Sequence, residues 1–357
     1  MLRIGFAGAG LIAWAHGLCL QAMIEAGLID ASITSVYDLD SERAARFAKV
    51  TGGVVAGGIG EVVERSDAVW VCTPTAAHRA VVEAAAAGGR AVFCEKPLAT
   101  DLAGASELDG VVRAAGVPAQ VGLVLRATPV FGAARAIAAS GELGRPMAAV
   151  FRDDQFFPIR GHYGSTWRSD PRQAGGGCLI EHSIHDLDIL RFCLGEVAQL
   201  SAHVASFAGY EDIEDLATVS LQFVSGASAE LVSIWHDITT RGSTRRVELF
   251  FERGLVWLDD DFVGPLHVET SSGVEERACQ MPPWVRDLRF RGDVPLALRS
   301  YVEEDRAFVD ALRAGTPPQP DFAEAVVAHR LVDAAYRSAA SGGVPIAFAH
   351  PSSTPAT

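Results

Sequence analysis

The stretch Gly8-Ala9-Gly10-Leu11-Ile12-Ala13 reads G-x-G-x-x-A, and its flanks decide the fold. The apolar run Arg3–Ala7 leads into it, and Ile12–Ala26 leaves it with helical periodicity, ended by Gly27. With 35 glycines in the chain a bare match would carry little, so the strand–loop–helix context is what counts. The first glycine permits a tight turn. The second lets backbone approach a pyrophosphate, and the small Ala13 lets helix and strand pack closely. The helix start adds N–H donors and a dipole that favours negative charge. A dinucleotide held by Gly8, Gly10, Leu11 and Ile12 is the expectation. A plain glycine turn is the alternative.

Further out, strand-like and helix-like runs alternate. Strands are expected over Ala31–Tyr37, Ala68–Cys72, Ala91–Cys94 and Ala119–Val124, with helices over Ser41–Val50, Ala76–Ala87 and Leu102–Ala115. This repetition predicts an α/β fold, a parallel sheet covered on both faces, over residues 1–125. Asp38 ends the second strand, where a carboxylate accepts hydrogen bonds from ribose hydroxyls and repels a 2′-phosphate. That favours NAD as cofactor; NADP is the alternative, since Arg43 a turn later would offset the repulsion. After a connecting helix near Val130–Ser140, the turn Gly141–Pro146 begins a different texture. Period-two runs at Met147–Phe157, Val197–Phe207, Leu216–Val224, Ser228–His236, Arg245–Phe251 and Leu255–Asp259 predict an antiparallel sheet. Residues 126–350 are therefore expected to form a second domain. Pro265–Leu296 is expected to be mostly loop, Glu303–Arg313 and Phe322–Ala340 helical, and 351–357 a disordered tail.

Composition excludes several classes. The net charge is −14 and arginine is scattered, so neither a nucleic-acid nor an anionic-membrane partner is expected. No apolar stretch is long enough to span a bilayer. The apolar N-terminus is interrupted by glycines at strand-to-helix spacing and reads as a first strand, not a signal peptide. Six dispersed cysteines without a C-x-x-C pair read as reduced thiols of a cytoplasmic protein.

Of 30 basic residues only Lys49 and Lys96 are lysine, which leaves 28 arginines. A chain that meets its need for positive charge with Arg keeps Lys96 in Phe93-Cys94-Glu95-Lys96-Pro97, at a strand end where such sheets bind ligands. Lysine titrates and arginine does not, so Lys96 is expected to donate to a substrate hydroxyl or carbonyl. A surface ion pair is the alternative. Glu95 beside it, and Thr73, Pro74 and His78 at the preceding strand end, are expected to line the cofactor; His78 serves equally well as a helix cap.

The densest polar cluster is Gly175-Gly176-Gly177-Cys178-Leu179-Ile180-Glu181-His182-Ser183-Ile184-His185-Asp186-Leu187-Asp188, read as the start of a helix running to Leu194. Glu181, His185 and Asp188 are spaced to share one helix face. A carboxylate one turn from an imidazole orients the ring and stabilises its protonated form, which suits taking a proton from an alcohol. The alternatives are a buried polar network or a metal site on Glu181, His182 and His185. No metal is expected, because His182 points away from the face of Glu181.

In their order along the chain these elements resemble the glucose–fructose oxidoreductase/inositol dehydrogenase/rhizopine-catabolism (Gfo/Idh/MocA) family: the glycine loop, Asp38, the C-T-P-T-A-A-H segment at 72–78, Glu95-Lys96-Pro97 and the Gly175–Asp188 helix. Tyr336-Arg337-Ser338 and Gly342-Gly343 also resemble it. The resemblance implies an N-terminal Rossmann domain, a C-terminal α+β domain with an open antiparallel sheet for substrate binding and oligomerisation, and NAD(P)-dependent oxidation or reduction of a sugar or cyclitol hydroxyl without metal. Lys96 and His185 match the family lysine and histidine. Glu181 stands where many members have Asp, and Ser183 where many have Gly. Hydride would pass between a carbinol carbon and the nicotinamide, with His185, oriented by Glu181, and Lys96 handling the hydroxyl proton. Substrate contacts are expected from Arg126, Gln155, Trp167, Arg168 and His236, with a core role for Trp167 and an Arg168–Asp170 ion pair as the alternatives. The same scaffold resembles NAD-dependent glycosidases, and a non-catalytic NAD-binding regulator is a third reading. A homodimer or homotetramer through the open sheet is expected.

Overall fold

In a computed structural model of the protein, residues 1–160, 164–238, 240, 242–291 and 299–349 are described. The expected tail, 351–357, lies outside them.

The chain divides into two units. The first comprises Met1–Pro129, Thr166–Gly176 and Gln280–Arg330, the second Val130–Ser165, Gly177–Cys279 and Leu331–Thr357. The boundary near 125 read from sequence therefore marks a change of texture, and two later segments return to the first unit.

The first unit opens with β1 (Leu2–Ala7), α1 (Leu11–Glu25), β2 (Ala31–Tyr37), α2 (Ser41–Thr51), β3 (Val54–Val55) and α3 (Ile59–Arg65). It continues with β4 (Ala68–Val71), α4 (His78–Ala87), β5 (Ala91–Glu95), α5 (Leu102–Ala115) and β6 (Ala119–Gly122). The six strands pair in the order β3-β2-β1-β4-β5-β6, all parallel. β4 and β5 are buried at every position, because helices cover both faces. Asp40 and Asp101 cap α2 and α5 by accepting the N–H of Arg43 and of Gly104, and Gly52 and Gly116 end these helices in the left-handed conformation. The order turns back at β1 and β4, so ligands gather at the carboxyl ends of those strands. β3 and α3 are additions to the sequence reading; Gly57, Gly58 and Gly60 hide them.

The second unit is built on a nine-stranded sheet ordered β14-β13-β12-β11-β7-β10-β9-β8-β15. The elements from α6 onward are α6 (Pro129–Ser140), β7 (Pro146–Phe156), α7 (Pro171–Ala174), α8 (Ile184–Leu194), β8 (Val197–Ala205), β9 (Leu216–Phe223) and β10 (Ser228–His236). They continue as β11 (Thr244–Phe251), β12 (Gly254–Leu258), β13 (Leu266–Thr270), β14 (Gly273–Arg277), α9 (Pro283–Arg286), α10 (Ser300–Ala314), α11 (Phe322–Ala340) and β15 (Ile346–Ala347); of these helices α7, α9, α10 and the start of α11 belong to the first unit. β7 and β10 pair in parallel and the other neighbours antiparallel, so the sheet is mixed but mainly antiparallel. Burial alternates along β9, β10 and β11, as one-sided packing requires. The loop expected over Pro265–Leu296 is corrected: it holds β13, β14 and α9. Among the described residues no helix is long and apolar enough to cross a membrane.

Candidate functional site

Gly8 sits where β1 ends, at φ +94°, and a methyl group there would fall 2.5 Å from the Cys72 carbonyl oxygen. The turn is therefore closed to other residues. Gly10 is the N-cap of α1 and supplies no side chain to the helix's first N–H groups. A methyl on Gly10 would meet nothing within 4 Å, and Leu11 is 70% exposed. Asp38, just past β2, accepts the Ala9 N–H on Oδ2 and the Asp40 N–H on Oδ1, each at 2.8 Å. Arg43 lies between two acids, with Nη1 3.8 Å from Asp38 and Nη2 3.7 Å from Asp40. At the end of β4, Thr73 Oγ1 is buried with no hydrogen-bond partner among the described residues. Open space at Gly10, an uncapped helix start and an orphaned hydroxyl one strand away fit a dinucleotide, which Gly8, Gly10, Leu11, Ile12, Asp38 and Thr73 would hold.

Lys96 follows β5 directly and is partly buried, whereas Lys49 lies exposed on α2. Glu95, expected to face the cofactor, turns inward: Oε1 lies 2.8 Å from His16 Nε2, and Oε2 accepts the Lys96 N–H at 3.2 Å. His78 is buried at the start of α4 and braces two carbonyls, Thr73 at 3.0 Å and Leu98 at 3.2 Å, with Pro74 in the turn between. Arg126, just past β6, pairs with Glu324 at 2.8 Å. The Arg168 guanidinium stacks 4.4 Å above the Trp167 ring. Asp170 pairs instead with Arg172 at 3.0 Å.

In the second unit the glycine-led stretch does not enter an α-helix at once. Leu179–Ser183 is a π turn and α8 begins at Ile184, so the i, i+4 relation of Glu181 and His185 straddles a change of period. Such turns recur at functional sites. Glu181, His185 and Asp188 are all nearly fully buried. Glu214 fixes the entrance: it accepts the Gly177 N–H at 2.8 Å, the Leu179 N–H at 2.9 Å and the Tyr336 hydroxyl at 2.9 Å. A methyl on Gly177 would fall 1.8 Å from the Glu214 carbonyl oxygen, so only glycine passes there.

Beside this turn lies a charged network that sequence reading does not assemble. His182 Nδ1 meets Asp153 Oδ2 at 2.6 Å, and Gln155 donates to Asp153 Oδ1 at 2.6 Å. Arg245 donates to Asp186 at 2.7 Å and pairs with Asp261. Burial, then the nearby Asp153, pushes Asp186 up to about 7 against the pull of Arg245. Asp153, His182 and Asp186 have metal-ligand spacing, but here the Arg245 guanidinium supplies the cation. His236 ends β10 with Nε2 3.3 Å from Asp154, while its Nδ1 accepts the Ile238 N–H at 3.0 Å. In the first unit the sequence reading also passes over His16; a polar side chain amid the apolar residues that open α1 is its signal.

Residues 2–123 match the family described as the oxidoreductase family, NAD-binding Rossmann fold. Residues 131–257 match the GFO/IDH/MocA C-terminal domain. The chain is 31% identical over 321 residues to the myo-inositol dehydrogenase Hyg17 of Streptomyces leeuwenhoekii, covering 87% of this chain and 90% of that one. It is 28% identical over 349 residues to the inositol 2-dehydrogenase of Rhizobium meliloti, covering 95% and 97%. The crystal structure of an oxidoreductase domain protein from Kribbella flavida shares the fold, with a TM-score of 0.86, 23% identity, and 98% and 99% of the two chains covered.

Proposed function

Because this chain belongs to the GFO/IDH/MocA family of NAD-binding oxidoreductases, we propose that it oxidises or reduces a hydroxyl-bearing carbon of a cyclitol or sugar, with Lys96 and His185 handling the hydroxyl proton. The bound nicotinamide supplies the hydride acceptor or donor. The observation that carries the reading is the place of Lys96. It stands at the carboxyl edge of the parallel sheet, on the strand next to β4, with its backbone held by Glu95.

Its ammonium donates to the substrate oxygen, and as a titratable group it tolerates the change of charge there. His185 takes the hydroxyl proton, and Glu181 steadies the charged ring. Trp167 with Arg168 stacked on it offers an apolar face for a ring, while Gln155, His236 and Arg126 offer polar contacts. The similarity to two inositol dehydrogenases supports a cyclitol. Homo-oligomerisation through the nine-stranded sheet belongs to the same reading, since Val150 and Phe250 are exposed on its strands. All six cysteines are free and five are buried, which suits a reducing cytoplasm.

The test is NADH formation or consumption across a panel of inositols and sugars by the parent, Lys96→Met and His185→Ala. Both variants should lose most turnover while still binding NAD; full activity in both would sink these roles.

A further inference from the structure

His16, on α1, is fully buried and both its ring nitrogens face carboxylates: Nε2 meets Glu95 Oε1 at 2.8 Å and Nδ1 meets Asp305 Oδ1 at 2.7 Å. Asp305 Oδ1 also accepts the Trp70 indole N–H at 2.9 Å. The edges of Phe93 and Tyr301 fix the ring, each with centroids 4.9 Å away. Burial works against a charged imidazole here, but Asp305 and Glu95 outweigh it and hold the ring's pKa well above its usual value. Glu304 lies beside the cluster with neither carboxylate oxygen hydrogen-bonded among the described residues, and burial pushes its pKa well above the usual carboxylate value.

The Glu95 carboxylate is confined by Gly122 too. A methyl on Gly122, at the end of β6, would fall 2.8 Å from Oε1. Its second oxygen accepts the N–H of Lys96. An imidazolium sealed between acids is a poor stabilising device, since desolvation consumes much of the attraction. Its value lies in fixing geometry.

We infer that His16 is a positioning residue for Lys96, holding the Glu95 carboxylate and through it the Lys96 peptide at the end of β5. The inference rests on the role of Lys96 proposed above. Releasing Glu95 frees the lysine's backbone, and misplacement of a reacting group by about 1 Å costs on the order of a hundredfold in rate.

The experiment compares His16→Gln with His16→Asn in the full chain. The glutamine amide reaches the place of Nε2 and keeps a donor for Glu95. The asparagine amide reaches only the place of Nδ1 and serves Asp305 alone. Asn should lower kcat about tenfold or more with the KM for NAD little changed, and Gln should restore most of kcat although both variants melt alike. Equal kcat in the two variants, or a change confined to KM, overturns the inference. Gly122→Ala displaces the same carboxylate while leaving His16 in place; it should reproduce the kcat loss, and an unchanged kcat counts against the inference even where His16→Asn fails to fold. Lys96→Met is run alongside. Full activity in that variant defeats the proposed role of the lysine, an outcome distinct from a failed Gln/Asn contrast.

Discussion

Ala9 donates its N–H to Asp38 Oδ2 at 2.8 Å, so the acid closing the second strand is built into the glycine loop itself. Asp38→Ala removes a charged acceptor worth about 1.5–3 kcal/mol. NAD affinity, measured by calorimetric titration, should fall at least about tenfold, and the loop should loosen as well. Asp38→Asn keeps an acceptor for Ala9 and should lose less. Identical NAD affinity in all three proteins would remove Asp38 from the cofactor site.

The two loop glycines should respond differently. Gly8→Ala places a methyl 2.5 Å from a carbonyl oxygen at a left-handed φ, so the melting temperature should drop by several degrees. Gly10→Ala meets open space at a φ of −76° that alanine adopts without strain, and its cost is confined to the weaker N-cap, so melting should fall less than for Gly8→Ala while NAD binding weakens. If Gly10→Ala binds NAD normally, the open space there is not the pyrophosphate seat.

Lys96→Arg keeps positive charge but fixes it. Turnover on the best substrate should fall by about a hundredfold or more, with melting unchanged. Full activity would mean that charge alone is needed, and that the scarcity of lysine in this chain is accidental.

His329 is buried on α11, and its Nε2 accepts the Ala99 N–H at 3.5 Å. Burial chiefly, with His78 helping and Asp101 opposing, holds its pKa down at about 4. The unfolded chain, near 6.5, binds the proton more tightly. The contribution to stability is thus complete above about pH 6.5 and is lost as pH falls toward 4, for a total near 3 kcal/mol. His329→Gln retains an acceptor for Ala99 without titrating. Denaturant unfolding across this range should show the parent losing stability faster than the variant on acidification; parallel profiles would contradict it.

Much of this fold is legible in local pattern. β2 and β10 fall where their apolar or alternating runs place them, since burial on two faces or one imposes those patterns directly. β13 and β14 stay hidden because Pro265, Gly273 and the charged run Glu275–Arg277 read as loop, while pairing with β12 supplies the order. The site divides in the same way. The glycine loop, Asp38 and Lys96 announce themselves through neighbours in sequence. The Asp153–His182–Arg245–Asp186 network and the His16 cluster join residues from distant strands and helices, and only folding brings them into register.

The interleaving of the two units bears on how the protein is made. His16 lies 289 residues ahead of Asp305 in the chain. A nascent polypeptide that has released all of β1–β6 from the ribosome still lacks Thr166–Gly176 and Gln280–Arg330, which complete the first unit. His16 and Glu95 then sit in an interior without their matching carboxylate. Domains generally fold as units, so the first unit is complete only once α10 has emerged, and a fragment ending near residue 125 should be less stable than the same residues in the whole chain.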